Sequence, residues 1–148
     1  QAKVKNPEKW SAEQPNLYTL VLTLADNSGK IIEAQSCKVG FREVELTDKG
    51  LLVNGKSVKL YGVCRHGSHP DGGDVVTLED MIEDVKLMKQ YNINAVRTSH
   101  YPDDPKWYDV CDEYGIYLID ETNLETHGVT GYLSNSPDWH GAFYCVFN

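Results

Sequence analysis

The sequence predicts an α/β protein in which an all-β amino-terminal part precedes alternating strands and helices. Before residue 74 the apolar residues alternate as in strands, and no helical period appears. From residue 57 to residue 120, short apolar runs alternate with two amphipathic helical patterns. Helical connections of this kind join parallel strands through right-handed crossovers. The second part is therefore either a doubly wound sheet or about three units of a (β/α)8 barrel.

Composition narrows the class of protein further. The 148 residues are 41% apolar and 24% charged, which is typical of a globular domain. The net charge of −8 repels phosphate backbones, so we expect no nucleic-acid partner. No apolar run approaches the roughly 20 residues of a membrane span, so we also expect no membrane partner. We expect a cytoplasmic location. The four cysteines follow no metal-binding or disulfide pattern, and we expect them to be reduced.

The amino-terminal part predicts about three strands. Tyr18 to Leu24 alternate, Asp26 to Gly29 supply turn residues, and Lys30 to Ala34 can return as the partner strand. The alternation resumes at Cys37 and is expected to bend near Gly40 to Arg42. Because a β-sandwich needs about 100 residues, this stretch predicts part of one.

A hairpin and a capped helix open the second part. Asn54–Gly55, between Leu51–Val53 and Val58–Val63, is a strong hairpin signal. Thr77 and Asp80 resemble a capping box. The apolar positions of the helix that follows are Leu78, Met81, Ile82, Val85 and Met88.

The next elements are a short strand, a helix and a buried strand. The strand is predicted at Ile93–Val96. Asp104 and Pro105 begin the second helix and Gly115 ends it. Its buried stripe is predicted to be Trp107, Tyr108 and Cys111. The apolar run Ile116–Ile119 predicts a strand buried on both faces.

Polar residues follow each of the three predicted parallel strands. Since the carboxyl ends of parallel strands share one edge, these residues are expected on one rim, where α/β proteins place their sites. The three histidines among them, His66, His69 and His100, together suit a polyhydroxylated ligand, although strand ends are also polar because they are exposed. The polar residues expected on this rim are Arg65, His66 and His69, then Arg97, Ser99 and His100, then Asp120, Glu121, Asn123, Glu125 and His127.

Glu125 and His127 are a candidate metal pair. In an extended segment, a gap of one residue puts both side chains on the same side. A carboxylate with an imidazole can hold a divalent cation, and an oxygen-rich site favours magnesium or manganese. The alternative is a solvated loop with a hydrogen-bonded histidine.

Asp120 and Glu121 are adjacent carboxylates at the end of a strand. One of them could act as a general acid or base. The other possibility, which we favour, is that one orients an arginine such as Arg97.

Three runs of residues give the chain a recognisable resemblance. At Arg65–His66, Arg97–Pro102 and Asp120–Gly128 the sequence resembles the β-galactosidases of glycoside hydrolase family 2. The likeness extends from about Asn6 to about Trp139. Within the family, the lacZ-type enzymes look closer than the β-glucuronidases because of Glu125–Thr126–His127–Gly128.

The resemblance implies a fold, an activity and a set of roles. Residues 1–43 would be the end of an immunoglobulin-like β-sandwich domain, and residues 44–148 the start of the TIM-barrel domain. The activity would be retaining hydrolysis of terminal, non-reducing β-D-galactose residues from β-galactosides. Glu125 and His127 would ligate Mg²⁺, with Na⁺ bound elsewhere in the longer protein. His66 and His100 would line the galactose pocket, and the supporting rim would be Arg97, Asp120, Glu121 and Asn123.

Two departures from the family pattern concern the pocket and the catalytic pair. Gly67 stands where the family usually has an acidic residue, and Cys64 where it commonly has Asn. The acid/base and nucleophile glutamates of the family lie on later barrel strands. Retaining chemistry needs both, about 5–5.5 Å apart. We therefore expect the 148-residue chain to be inactive alone.

Other expectations concern the carboxyl-terminal residues and the partners. Residues 140–148 do not resemble the family, which predicts a truncation or a change of reading frame. An incomplete barrel exposes a strand edge, so we expect a homo-oligomer or another association through that edge. The alternatives are a non-catalytic carbohydrate-binding or scaffold fragment that needs complementation, and a β-glucuronidase or β-mannosidase relative.

Overall fold

The computed structural model describes residues 3–129, 131–133 and 135–147. The described part has three sheets: an antiparallel hairpin, a small antiparallel sheet and a parallel sheet. In chain order the strands are β1 (Tyr18–Ala25), β2 (Ile31–Val39), β3 (Val44–Thr47), β4 (Gly50–Val53), β5 (Lys56–Ser57), β6 (Gly62–Arg65), β7 (Ala95–Thr98) and β8 (Tyr117–Ile119). The helices are α1 (Leu78–Gln90), α2 (Pro105–Tyr114) and α3 (His140–Phe147), with 3₁₀ turns at His127–Val129 and Pro137–Trp139.

The predicted β1–β2 hairpin is confirmed. The Asp26 carboxylate closes its turn by accepting the backbone N–H groups of Ser28 at 2.8 Å and Lys30 at 3.0 Å. The resumed alternation from Cys37 belongs to β2 and does not form a separate strand. β2 ends at Val39, and Phe41 pairs with Lys9 through a single bridge.

The Asn54–Gly55 turn is also confirmed, but its second strand is Lys56–Ser57 and not the predicted run Val58–Val63. Both turn residues have positive φ, 55° and 76°, as a type I′ turn requires. Residues 58–61 lie outside any strand, because the Asn94 side chain holds them. Its amide donates to the Lys59 carbonyl at 3.0 Å, and its oxygen accepts the Tyr61 N–H at 2.8 Å.

Both helices of the parallel layer begin as predicted, and the second one also ends as predicted. The Thr77 hydroxyl accepts the Asp80 N–H at 3.2 Å, and the Asp80 carboxylate accepts the Thr77 N–H at 2.8 Å. At α2, Asp104 accepts the Lys106 N–H at 2.9 Å. Gly115 ends α2 in the left-handed conformation, with φ 74°.

The parallel sheet runs in the order β6–β7–β8, with Cys64 opposite Arg97 and Arg97 opposite Ile119. Two expectations about it are wrong. The middle strand begins at Ala95 because Ile93 still donates its N–H to the Met88 carbonyl, at 2.9 Å, as part of the end of α1. The third strand is buried only towards its start: Tyr117 is buried, whereas Ile119, on the same face, is 48% exposed.

Two clusters form the core. The larger one packs α1 and α2 against one face of the parallel sheet, with Val85 and Trp107 fully buried. The predicted stripe of α2 needs one correction, since Val110 is buried and Tyr108 only half-buried. The smaller cluster joins Trp10 to Val53, Ala95 and Tyr117 at the amino-terminal end of the sheet. No helix among the described residues is long and apolar enough to cross a membrane.

Candidate functional site

Parallel pairing brings the carboxyl ends of β6, β7 and β8 to one edge, as the sequence predicted. His66 follows β6 directly, Ser99 and His100 follow β7, and Asp120 and Glu121 follow β8. The segments after these strands therefore start from neighbouring positions, and their polar side chains meet.

Five side chains come together there, and we call them the rim cluster: His66, Arg97, His100, Glu121 and Glu125. The Arg97 Nε donates to Glu121 Oε1 at 2.6 Å. The His100 Nδ1 lies 3.2 Å from Glu121 Oε2 and 3.7 Å from Glu125 Oε2. The His66 and His100 rings meet edge to face, with centroids 5.6 Å apart. The structure therefore brings His66, His100 and Glu125 close together, as the sequence predicted.

The His100 ring has one nitrogen committed to the cluster. Its Nδ1 lies 3.2 Å from Arg97 Nη2, which can only donate, and 3.2 Å from the Glu121 carboxylate, which accepts. In a neutral ring this nitrogen serves one of these partners at a time. Among the described residues Nε2 has no hydrogen-bond partner, which leaves it available to a hydroxyl of a ligand.

The charges of the rim cluster are strongly coupled. The hydrogen bond from Arg97 holds the pKa of Glu121 below its usual range, and Glu121 in turn raises the pKa of Arg97. A general acid needs a pKa near the working pH, whereas this carboxylate stays ionised. The geometry therefore matches the orienting interpretation of Glu121.

Asp120 supports the rim from the side of α2. Its Oδ1 accepts the Thr98 hydroxyl at 3.1 Å and the Tyr108 hydroxyl at 2.9 Å. The same Thr98 hydroxyl accepts the Glu121 N–H at 2.9 Å. Asn123 is exposed, and within the described ranges its side chain has no hydrogen bond or ion pair.

The extended geometry assumed for Glu125 and His127 is wrong. His127 begins a 3₁₀ turn, and its backbone N–H donates to Glu125 Oε1 at 2.8 Å. The carboxylate therefore closes the turn that carries the histidine. In the part of the chain that the structure describes, no three His, Cys, Asp or Glu side chains form a metal-sized group. The donor types suit Mg²⁺, which keeps several waters and binds through one or two carboxylates, but they make only part of a site.

Two other residues predicted on the rim, Arg65 and His69, make their contacts outside the rim cluster. Arg65 is buried and ion-pairs with Asp84 and Asp103, with its guanidinium 4.0 Å above the Trp107 ring. His69 orders its own loop, where its Nδ1 accepts the N–H groups of Asp71 and Gly72 at 3.1 and 3.0 Å.

Sequence reasoning missed the residues that support the rim. Thr98 and Tyr108 hold Asp120, and Tyr101 packs its ring 6.2 Å from His66. Tyr108 could have been found, because a tyrosine placed on a buried stripe needs a partner for its hydroxyl.

A second concavity lies at the other end of the parallel sheet. A cleft of about 1090 Å³ is lined by Asn94 and Tyr117, near the amino-terminal ends of β7 and β8, and by Val53 and Lys59. It is remote from the rim cluster. Parallel α/β folds place their chemistry at the carboxyl ends of strands, so we take the rim as the site.

Comparison with known families shows to which family this chain belongs. Residues 44–142 match the family described as glycosyl hydrolases family 2, TIM barrel domain, and residues 1–42 match glycosyl hydrolases family 2. The chain belongs to glycosyl hydrolase family 2. The parallel layer of this family 2 chain is therefore part of a TIM-barrel domain.

The relatives of this family 2 chain include curated β-galactosidases. The enzyme of Priestia megaterium is 55% identical over 146 residues, covering 92% of this chain. The enzyme of Alteromonas mediterranea is 51% identical over 147 residues, covering 98% of this chain. The chain spans 14% of the length of each.

Solved structures of two glycosidases are also similar to this chain. A β-glycosidase from Bacteroides vulgatus superposes with a TM-score of 0.76 at 39% identity, over 80% of this chain and 15% of that one. A β-glucuronidase from Ruminococcus gnavus, in complex with D-glucuronic acid, superposes with a TM-score of 0.75 at 32% identity, over 80% of this chain and 20% of that one.

Proposed function

We propose that this chain is part of a retaining β-galactosidase that hydrolyses terminal, non-reducing β-D-galactose residues. The observation that carries the proposal is the rim cluster: two histidine rings 5.6 Å apart beside an arginine–carboxylate pair, at the carboxyl edge of barrel strands. The identity of 51–55% with curated β-galactosidases supports galactose as the sugar.

The same proposal assigns residues 1–43 to the end of an immunoglobulin-like domain and residues 44–148 to the start of the barrel. The β1–β2 hairpin supports this assignment, because apolar residues such as Leu22 and Val21, on opposite faces, are exposed. A hairpin exposed on both faces is what part of a sandwich looks like without its other strands.

In this mechanism the chain binds and orients the sugar. His66 and His100 form hydrogen bonds with hydroxyl groups of galactose, and the Arg97–Glu121 pair fixes the His100 ring through Nδ1. Asp120, held by Thr98 and Tyr108, keeps the segment that carries Glu121 in place. The acid/base and nucleophile carboxylates belong to later barrel strands, so the rim cluster supplies half of the pocket.

We propose Mg²⁺ as the cation, held by the Glu125 carboxylate and the His127 imidazole together with waters or other residues. When bound, Mg²⁺ supplies positive charge that stabilises negative charge beside it. Na⁺ sites are assigned to other parts of a longer protein.

A β-glucuronidase is the second candidate, since the similar solved structures include one bound to D-glucuronic acid. Sugar binding followed by NMR separates the two. Methyl β-D-galactoside should shift the His66 and His100 ring signals, and methyl β-D-glucuronide should not. His100→Ala should abolish the shifts, whereas His140→Ala, at an exposed helical position, should retain them.

Two outcomes of the NMR experiment and one outcome of an activity assay would contradict the proposal. A response to the glucuronide alone would favour a glucuronidase. No response to either sugar would leave a scaffold role. Turnover of nitrophenyl β-galactoside by the chain, lost in Glu121→Gln or Glu125→Gln, would refute the assignment of the catalytic pair to later strands.

The metal assignment is tested with Mn²⁺ as a paramagnetic substitute for Mg²⁺. Mn²⁺ should broaden the NMR signals of residues 124–128 and be displaced by Mg²⁺. Glu125→Gln should weaken the effect about tenfold, and the exposed Glu113→Gln should not change it. Equal broadening in both variants would remove Glu125 from the site.

We also propose that the chain self-associates. In the described part of the parallel sheet, β6 and β8 each pair with β7 along one edge only. The other edge of each strand is unpaired, and unpaired edges promote association. Light scattering should show species larger than 16.7 kDa, and a monodisperse monomer would contradict the proposal.

A further inference from the structure

Cys64 lies on the same face of the parallel sheet as the rim cluster. It is opposite Arg97 in the register of β6 and β7, and its sulfur lies 3.6 Å from Arg97 Nη1. Its side chain is exposed. The sulfur is therefore accessible from solvent while it contacts a guanidinium.

A buried hydroxyl, that of Ser99, also affects this sulfur. Ser99 is 2% exposed, and its hydroxyl has no hydrogen-bond partner of ordinary geometry among the described residues. Ser99 and Arg97 hold the pKa of Cys64 below its usual range, whereas desolvation and the charge of Glu121 oppose the effect. A buried hydroxyl without an oxygen or nitrogen partner gains most when the sulfur beside it is a thiolate.

We propose that Cys64 is the reactive thiol of this chain, a covalent modification site for soft electrophiles such as haloacetamides and low-molecular-weight disulfides. The Cys64 thiolate attacks the CH₂ carbon of a haloacetamide, the S–C bond forms, and the halide leaves with its electron pair. With a disulfide, the thiolate forms a mixed disulfide and the second sulfur leaves as a thiolate. In both cases the proton of the thiol goes to solvent.

The other cysteines provide internal comparisons. Cys37 and Cys145 are exposed as well, but no arginine contact to either sulfur occurs within the described ranges. Cys111 is buried, and burial raises its pKa to about 12. Reactivity that followed exposure alone would label Cys37, Cys64 and Cys145 equally.

The test is competitive labelling of the whole chain with iodoacetamide at pH 7, read by peptide mass spectrometry. Each unit by which a thiol pKa is lowered speeds alkylation about threefold at this pH, after allowance for weaker nucleophilicity. Cys64 should therefore react faster than Cys37 and Cys145, and Cys111 should remain unlabelled. In urea the four rates should converge.

Variants separate the two neighbours of the sulfur. Ser99→Ala and Arg97→Gln should each slow labelling of Cys64 relative to Cys37, whereas Arg97→Lys should retain most of the rate. Equal labelling of Cys64 and Cys37 in the unaltered folded chain would overturn the proposal without any variant having to fold. The readout is the thiol itself, so the proposal stands or fails independently of sugar binding.

Discussion

At the scale of single residues, Arg65 and Arg97 show how neighbouring positions acquire different roles. The sequence places both at the carboxyl ends of parallel strands. Arg97 lies opposite Cys64, so Arg65, one position further along β6, projects from the other face of the sheet. Arg97 therefore pairs with Glu121 on the rim, while Arg65 is buried among Asp84, Asp103 and Trp107.

Loss of the buried arginine should destabilise the chain strongly. Arg65→Met leaves the Asp103 carboxylate, 8% exposed, without its cation, which costs about 3–5 kcal/mol of unfolding free energy. Lys9→Met is the matched control, since its ion pair with Glu43 is at least half exposed and contributes about 1 kcal/mol or less. Urea unfolding measures both, and equal losses would contradict the structural role assigned to Arg65.

Cys111 should make the chain sensitive to alkali. Burial raises its pKa to about 12 from an ordinary value of 9.0, so the unfolded chain loses this proton first as the pH rises. The stabilisation is complete below pH 9 and is lost between pH 9 and about 12, at up to about 1.4 kcal/mol per pH unit. The pH dependence of urea unfolding should be less steep over this interval in Cys111→Ala and unchanged in Cys37→Ala.

At the scale of elements, the end of α2 depends on a glycine for two reasons. Gly115 has φ 74°, and a Cβ at this position would collide with the carbonyl oxygen of Ala12. The first requirement is local and visible in the sequence as a helix stop. The second exists only because the amino-terminal segment docks there.

Gly115→Ala should therefore cost more than an ordinary glycine replacement. We expect a loss of about 3 kcal/mol or more, because backbone strain of about 1 kcal/mol is added to a forced movement of the docked segment. Gly29→Ala provides the control: its φ is 85°, but nothing lies within 4 Å of the new Cβ, so only the strain remains. Thermal unfolding of the two variants compares them, and similar shifts would argue against the steric contribution.

At the scale of the whole molecule, Trp10 attaches the amino-terminal part to the parallel layer. Its Nε1 donates to the Asp112 carbonyl at 2.8 Å, and its ring meets Tyr117 edge to face at 5.6 Å. Lys89 strengthens the junction by donating to the carbonyls of Ala12 and Gly115, both at 3.0 Å. The two parts of the chain are therefore joined by a packed aromatic side chain and by backbone carbonyls.

Trp10→Ala should loosen this junction. Removing a fully buried tryptophan costs about 3–5 kcal/mol, and the amino-terminal segment should become accessible to proteases before the parallel layer does. Trp139→Ala, at a 44% exposed position, should leave both stability and the cleavage pattern nearly unchanged. Simultaneous cleavage of both parts in the Trp10 variant would show that they unfold as one unit.

Local signals predicted much of the fold. The turns at Asp26 and Asn54, the capping box at Thr77 and the stop at Gly115 are all confirmed, because each depends on residues within a few positions of one another. Strand limits were predicted less well. The segment before β6 is held by the Asn94 side chain, which comes from more than thirty residues further along the chain.

The sequence by itself determined the family and the order of strands and helices in the parallel layer. It also determined the convergence of His66, His100, Glu121 and Glu125, because parallel strands bring their carboxyl ends to one edge. Only the tertiary structure decided which face each side chain occupies and which partner it meets. In the tertiary structure Arg65 is buried in an ion pair, and Asp120 accepts a hydrogen bond from the Tyr108 hydroxyl. The Glu125 carboxylate accepts the backbone N–H of His127. These outcomes depend on contacts between segments distant in sequence and on the twist and closure of short turns, which residue spacing alone does not specify.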